Sequence, residues 1–146
     1  MKTSAAILTA CLLACAGAAR AGEGETAAKP KEPAVTMAPV GLPVVAGGRV
    51  VNYVFVTVKL NLSPKADIAA VQEKEPFVRD ALVRAGGRTP FVRPDSYMAL
   101  DETRIRAAAM RAAAAVAGPG AVVSAEVVRQ QAQHYAGLPT PPAARR

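Results

Sequence analysis

The sequence predicts a small α+β domain: a sheet of about three to four strands, antiparallel or mixed, packed against two helices in the order β-β-α-α-β. Three observations carry that prediction. The stretch VVNYVFVTVKLNL, Val50 to Leu62, alternates over thirteen residues and is rich in β-branched and aromatic side chains, the pattern of a strand. Two later stretches repeat apolar residues at helical spacing. A second valine-rich segment, Val122–Gln131, follows them and suits a strand returning beside the first.

Taken in order, Met1–Ala21 has the anatomy of an export signal. Lys2 gives a short positive start, Ala5–Ala16 is an apolar run, and Ala19-Arg20-Ala21 offers a small-x-small cleavage pattern after Ala21. The run is shorter than the roughly 20 apolar residues of a membrane-spanning helix. Leu12-Leu13-Ala14-Cys15 also places a cysteine after a small residue, so lipidation at Cys15 is the alternative, and an uncleaved anchor the third. The expected location is the periplasm, with lipid anchoring in the envelope as the alternative. Residues 22–36 begin GEGETAAKPKEP, too small, charged and proline-bearing to bury a core, and are expected to be a flexible linker.

One domain is expected over residues 37–133. MAPVGLPVV, Met37–Val45, is apolar but holds Pro39 and Pro43, which confine it to an edge strand or an extended segment. Ala46-Gly47-Gly48-Arg49 supplies a hairpin turn into the long strand. On that strand Val50, Val54, Val56, Val58, Leu60 and Leu62 share one side, interrupted only by Asn52. At about 3.3 Å per residue it would run roughly 40 Å, which makes it the central strand.

Ser63-Pro64 then provides an N-cap and a first helical residue. Ile68, Val71, Val78, Leu82 and Ala85 give this helix a core face. Pro76 removes a backbone donor, predicting a kink or two abutting helices, and Gly86-Gly87 predicts the stop. In RTPFVRPDSYMA, Phe91 and Val92 form a short strand or cover the core. Asp101 caps a second helix reaching Ala117, with Ile105, Ala108, Ala109, Ala112 and Val116 on one face and Arg104 and Arg111 sharing another. Gly118-Pro119-Gly120 ends it, and residues 134–146 form a proline- and alanine-rich basic tail expected to be disordered.

Catalytic chemistry is hard to assemble from these residues. Both cysteines, Cys11 and Cys15, lie in the leader, and the only histidine, His134, sits at the start of the tail. Ser63, Ser96 and Ser124 stand in no nucleophile elbow, and Asp67, Glu73, Glu75 and Asp80 lie on one helix among lysines and arginines, as a solvated face does. Gly47-Gly48 and Gly86-Gly87 do not match a phosphate-binding loop. The expectation is a non-enzymatic protein with no cofactor, no metal and no evident small-molecule substrate. The formal charge is +7, of which Lys2 and Arg20 in the leader contribute two, leaving +5. That balance is compatible with peripheral association with anionic lipid. Dispersed arginines and few aromatics speak against nucleic acid.

The segment Glu75-Pro76-Phe77-Val78-Arg79-Asp80-Ala81-Leu82 has the most individual character. Either Arg79 pairs with an acid of its own helix or caps nearby carbonyls, or the ridge meets another subunit, since arginine and aromatic residues are favoured interface anchors. With the strand VFVTVKL before it, a Leu100-Asp101 helix carrying Arg104 and Arg106 after it, and the closing Val122–Gln131 strand, this order resembles the periplasmic domain of the flagellar basal-body-associated FliL family. There a valine-rich strand precedes a helix with a similar P-x-[IV]-R-[DN]-x-L stretch. The likeness covers about Pro39 to Gln133. It implies a stomatin/prohibitin-like domain, used for ring-like self-association around the flagellar stator rather than for catalysis. It also implies Pro76, Phe77, Arg79, Asp80 and Leu82 as a candidate assembly site, and self-association or flagellar motor components as partners. The chain departs from the family in having a leader where members carry a membrane-spanning anchor.

Overall fold

The computed structural model describes residues 32–142. The expected export signal, with Cys15 and the expected cleavage position after Ala21, lies outside the described residues. The fold is α+β: a four-stranded antiparallel sheet with two helices on one face and a small two-stranded sheet beside them. The strands of the main sheet are β1 (Ala34–Thr36), β2 (Val40–Ala46), β3 (Arg49–Leu62) and β6 (Val122–Ala132). Helix α1 (Ile68–Arg88) follows β3, the hairpin β4 (Val92–Arg93) and β5 (Ser96–Leu100) comes next, and α2 (Glu102–Ala117) precedes β6.

β3 is the centre of the sheet, as its alternation predicts. Along one edge it pairs with β2 and β1, which lie end to end: Val40 faces Val56, and Val35 faces Leu60. Pro39, without a backbone N–H, interrupts this edge, while the Met37 N–H still donates to the Val58 carbonyl at 2.8 Å. Ala34–Thr36 falls in the stretch expected to be linker, yet it contributes a sheet strand with Val35 buried. The other edge of β3 pairs with β6, Val56 facing Gln130 and Leu60 facing Ala125. Gly47 and Gly48, at φ of 56° and 75°, make the β2–β3 turn with both central residues left-handed, a twist that matches a hairpin.

Val54, Val56, Val58, Leu60 and Leu62 are buried beneath the helices, together with Val71, Val78 and Leu82 of α1 and Ile105, Ala109 and Ala112 of α2. Three residues expected on the core faces of the helices, Ile68, Ala85 and Val116, are not fully buried. Ile68 is 46% exposed because α1 starts later than Ser63-Pro64 suggests. Residues 63–66 close a turn, with the Ala66 N–H on the Ser63 carbonyl, and Asp67 is the N-cap, accepting from the Ala70 N–H at 3.2 Å. Ile68 is therefore the first helical residue, ahead of the buried stripe. Val116 is half-buried at the rim near the end of α2.

Val50, expected to face inward, is 51% exposed. The register of β2 against β3 shifts between Val44 and Val45, so Val44 faces Asn52 but Val45 faces Val50. That bulge turns the start of β3 out of phase. Strand β6 has two irregularities of the same kind: Val123 and Val128 are each skipped in the pairing, and both are exposed while Val122 and Ala125 stay buried.

Helix α1 runs as one element through Pro76 and on through Gly86-Gly87 to Arg88, so it is not divided into two abutting helices and lacks the expected stop. Packing overrides both local signals. Val71 on one side of the proline and Val78 and Leu82 on the other are anchored in one core, and Glu75 Oε1 accepts from the Ala38 N–H at 3.0 Å. At Gly86 the missing side chain admits close neighbours: a Cβ there would lie 3.2 Å from Leu42 Cδ2 and 3.3 Å from Phe91 Cε2. Thr89 ends the helix, its N–H on the Ala85 carbonyl. Pro76 still forfeits one helical hydrogen bond, and proline in a helix interior is about 3 kcal/mol less favourable than alanine. Pro76→Ala is expected to stabilise the domain by about 1–3 kcal/mol, read as a higher urea midpoint at unchanged slope.

The β4–β5 hairpin resolves the segment around Phe91. Phe91 is buried, Tyr97 and Leu100 follow it into the core, and Arg93 Nε and Nη2 clamp Asp95 at 3.0 and 2.6 Å. The hydrogen bond from Arg93, with its charge, holds the Asp95 carboxyl below the ordinary carboxylate value and raises Arg93 above its own. The depressed Asp95 value makes this contribution present above the unfolded carboxyl range and lost as pH falls through the folded value. Both groups are solvent-exposed, so the clamp orients the turn rather than holding the fold.

Candidate interaction site

Helix α1 presents two opposed stripes. Val71, Val78, Leu82 and Gly86 face the core. The outward stripe carries Pro76, Phe77, Asp80, Val83 and Arg84. Phe77 is 62% exposed, the most exposed large apolar side chain among the described residues. Beside it Arg84 Nη1 meets Asp80 Oδ2 at 2.7 Å, an i,i+4 pair in which both side chains are more than half exposed. Such a pair adds less than about 1 kcal/mol to stability.

The five candidate interface residues therefore do not form one surface. Pro76, Phe77 and Asp80 share the outward stripe, and Arg79 is half-buried on the flank of the helix. Leu82 is 0% exposed and belongs to the core stripe, where a residue six positions after Pro76 is carried to the opposite side. Among the described residues Asp80 pairs with Arg84 rather than with Arg79, and Arg79 makes no ion pair.

The face of the sheet turned away from the helices is a second surface, one that strand alternation alone could locate but not evaluate. Its apolar end is formed by Tyr53 opposite Pro43 and Phe55 opposite Gly41, with the Phe55 ring lying over the glycine at 3.4 Å from a Cβ position. Both aromatic residues are exposed. Its other end is a polar lattice. Asn61 Nδ2 donates to Ser124 Oγ at 2.9 Å and Glu126 Oε1 at 2.8 Å, Lys59 lies 3.9 Å from Glu126, and Arg129 donates to Gln131. Along the edge of β6 the Gln130 side chain acts as a surrogate strand for β5, accepting from the Leu100 N–H at 2.8 Å and donating to the Leu100 carbonyl and to Glu102.

One polar residue missed as functional ties β3 to β5 and to the segment that follows β6. Asn52, only 2% exposed, donates through Nδ2 to the carbonyls of Tyr97 and His134, both at 3.0 Å, and its Oδ1 accepts from the N–H groups of Tyr53 and His134. His134 is thereby fixed through its backbone, leaving its side chain exposed. Leu138, four residues on, packs against the core. The signal available in the sequence was the single polar residue breaking the inward row of β3, since a buried amide demands partners.

Among the described residues no group of three or more His, Cys, Asp or Glu side chains comes together, and no helix is long and apolar enough to cross a membrane. No protein-family model, curated protein sequence or solved structure matches the chain.

Proposed function

We propose that this is a non-enzymatic exported interaction protein, similar to the periplasmic domain of the FliL family, that works by associating with copies of itself or with components of the flagellar motor. The observation that carries the reading is Phe77: a large apolar side chain held outward by a 21-residue helix, inside the stretch that resembles the family's helix motif. Its exposure has no explanation in the stability of the domain, because burial in the core is supplied by the opposite stripe. The flanking Asp80–Arg84 pair gives the patch a polar rim, the usual anatomy of an association surface.

The test is sedimentation velocity at several concentrations. Phe77→Arg and Arg79→Ala are expected to leave the thermal midpoint nearly unchanged and to weaken self-association, each by about 2 kcal/mol or more, roughly 30-fold, if the residue is an anchor. A protein that stays monomeric at high concentration, with no envelope partner recovered by crosslinking through this helix, would remove the reading. A second reading, a periplasmic lipoprotein or soluble envelope-binding protein unrelated to motility, is favoured by Leu12-Leu13-Ala14-Cys15. Intact mass separates the two leaders: a mature chain starting at a diacylated Cys15 supports the lipoprotein, and one starting after Ala21 the soluble form.

A further inference from the structure

The end of α1 and the outer side of α2 enclose a surface cavity of about 370 Å³ whose charged lining is entirely cationic. Arg88 reaches it from the last turn of α1, and Arg104 and Arg111 reach it from α2. Seven residues is close to two helical turns, so the two α2 guanidinium groups stand on one side of that helix. Phe91, Ala85 and Ala107 provide apolar wall, and Thr89 adds a hydroxyl. No carboxylate among the described residues lines the cavity.

This arrangement differs from an ordinary solvated helix face. Three guanidinium groups line one concavity with no acid among them, whereas Lys59, Arg84 and Arg93 each have a carboxylate within 4.0 Å and the other described cations do not share a cavity with two more. Among the described residues none of Arg88, Arg104 and Arg111 has a carboxylate that close. Arg88 has a partial structural explanation, since its Nε donates to the Arg84 carbonyl at 3.3 Å and its charge suits a helix C-terminus. Its other two nitrogens, and the side chains of Arg104 and Arg111, have no such partner among the described residues. Three like charges around one concavity repel one another, and the repulsion is relieved by an oxyanion that accepts from several at once. Guanidinium forks match phosphate oxygens in bidentate geometry, better than they match a monovalent anion. Ala85 and Ala107, with the small accessible edge of Phe91, add something bare phosphate does not need: an apolar wall for a group attached to it.

We propose that this cavity is a binding site for a phosphate ester, with the phosphate on Arg88, Arg104 and Arg111 and the esterified apolar group against the wall formed by Ala85, Ala107 and the edge of Phe91. The site lies on the helical layer and does not depend on the association reading, which uses the outward stripe of α1. Phosphate esters come as soluble metabolites and as lipid headgroups, and the chemistry of the cavity is common to both.

The experiment is calorimetric titration of the full chain at fixed ionic strength with phenyl phosphate, inorganic phosphate and phenol. Phenyl phosphate is expected to bind saturably and more tightly than inorganic phosphate, and phenol not measurably. Arg104→Gln and Arg111→Gln sit on exposed positions and are expected to keep the unliganded thermal midpoint. Each should weaken phenyl phosphate by about tenfold, the loss of one charge-assisted hydrogen bond. Arg129→Gln, on the opposite face of the sheet, should leave affinity unchanged. Co-sedimentation with phosphatidylglycerol vesicles, but not phosphatidylcholine vesicles, that the Arg104→Gln/Arg111→Gln double variant abolishes would assign the phosphate to a lipid headgroup. Phenyl phosphate binding without vesicle binding would assign it to a soluble ester. No saturable binding of either phosphate or vesicles, or binding that the double variant retains in full, would overturn the proposal.

Discussion

Val56→Asp is expected to unfold the domain or lower its thermal midpoint by more than about 20 °C, on a loss of more than about 4 kcal/mol. Val56 is 0% exposed at the middle of β3, between Val40 on one edge and Gln130 on the other. Gln130 is the polar side chain at a paired position, and its amide is already committed to Leu100 and Glu102. A carboxylate at Val56 would therefore have no donor, and either ionising it or protonating it in that apolar setting is unfavourable. A domain of this size has only about 5–15 kcal/mol in total. Phe55→Asp, one residue away on the exposed face, should cost only about 1 kcal/mol, mainly the ring's cover over Gly41. Denaturant titration of the pair checks the facing of the strand; equal losses would mean that it had been assigned to the wrong side.

Asn52→Ala should produce the second-largest loss, about 3–5 kcal/mol. The substitution strips partners from the buried Tyr97 carbonyl and from both the carbonyl and N–H of part-buried His134. Each unsatisfied buried group costs about 1–3 kcal/mol, and the helices cannot move in to replace the amide. The effect should also be local. Hydrogen exchange at the His134 amide is expected to accelerate more than exchange in the centre of β3, and proteolysis after residue 134 to become faster at temperatures where the core is still folded. Uniform acceleration across the domain would mean that Asn52 holds the sheet rather than the docking of the chain end.

The α1 ridge and the cationic cavity illustrate different degrees of legibility. Helical spacing is enough to separate Val71 and Val78 from Phe77 and Asp80, because those positions are fixed by 3.6 residues per turn wherever the helix packs. It is also enough to place Arg104 and Arg111 together. It does not reveal that Arg88, from another helix, and Phe91, from the following turn, meet them. Grouping Leu82 with Phe77 as interface failed for a related reason. A contiguous motif reads as one surface, whereas a helix distributes consecutive residues around its whole circumference.

The sequence by itself determined the central strand, its inward row from Val54 to Leu62, the Gly47-Gly48 hairpin, the Asp101 cap and the apolar stripes of both helices. Each depends on neighbours within a few residues: alternation, turn chemistry and helical period are local physics. Only the tertiary structure decided that Pro76 and Gly86 stay inside one helix, since the packing that holds them there comes from β2, α1 and the Phe91 turn together. Only it decided which residues β6 skips, because a bulge is set by the partner strand's register. Asn52 is the clearest division between the two. Alternation marks it as an interruption, but its partners lie 45 and 82 residues away, beyond any local pattern. What interrupts the apolar row in the sequence is, in the folded protein, a buried amide clasping the chain from both sides.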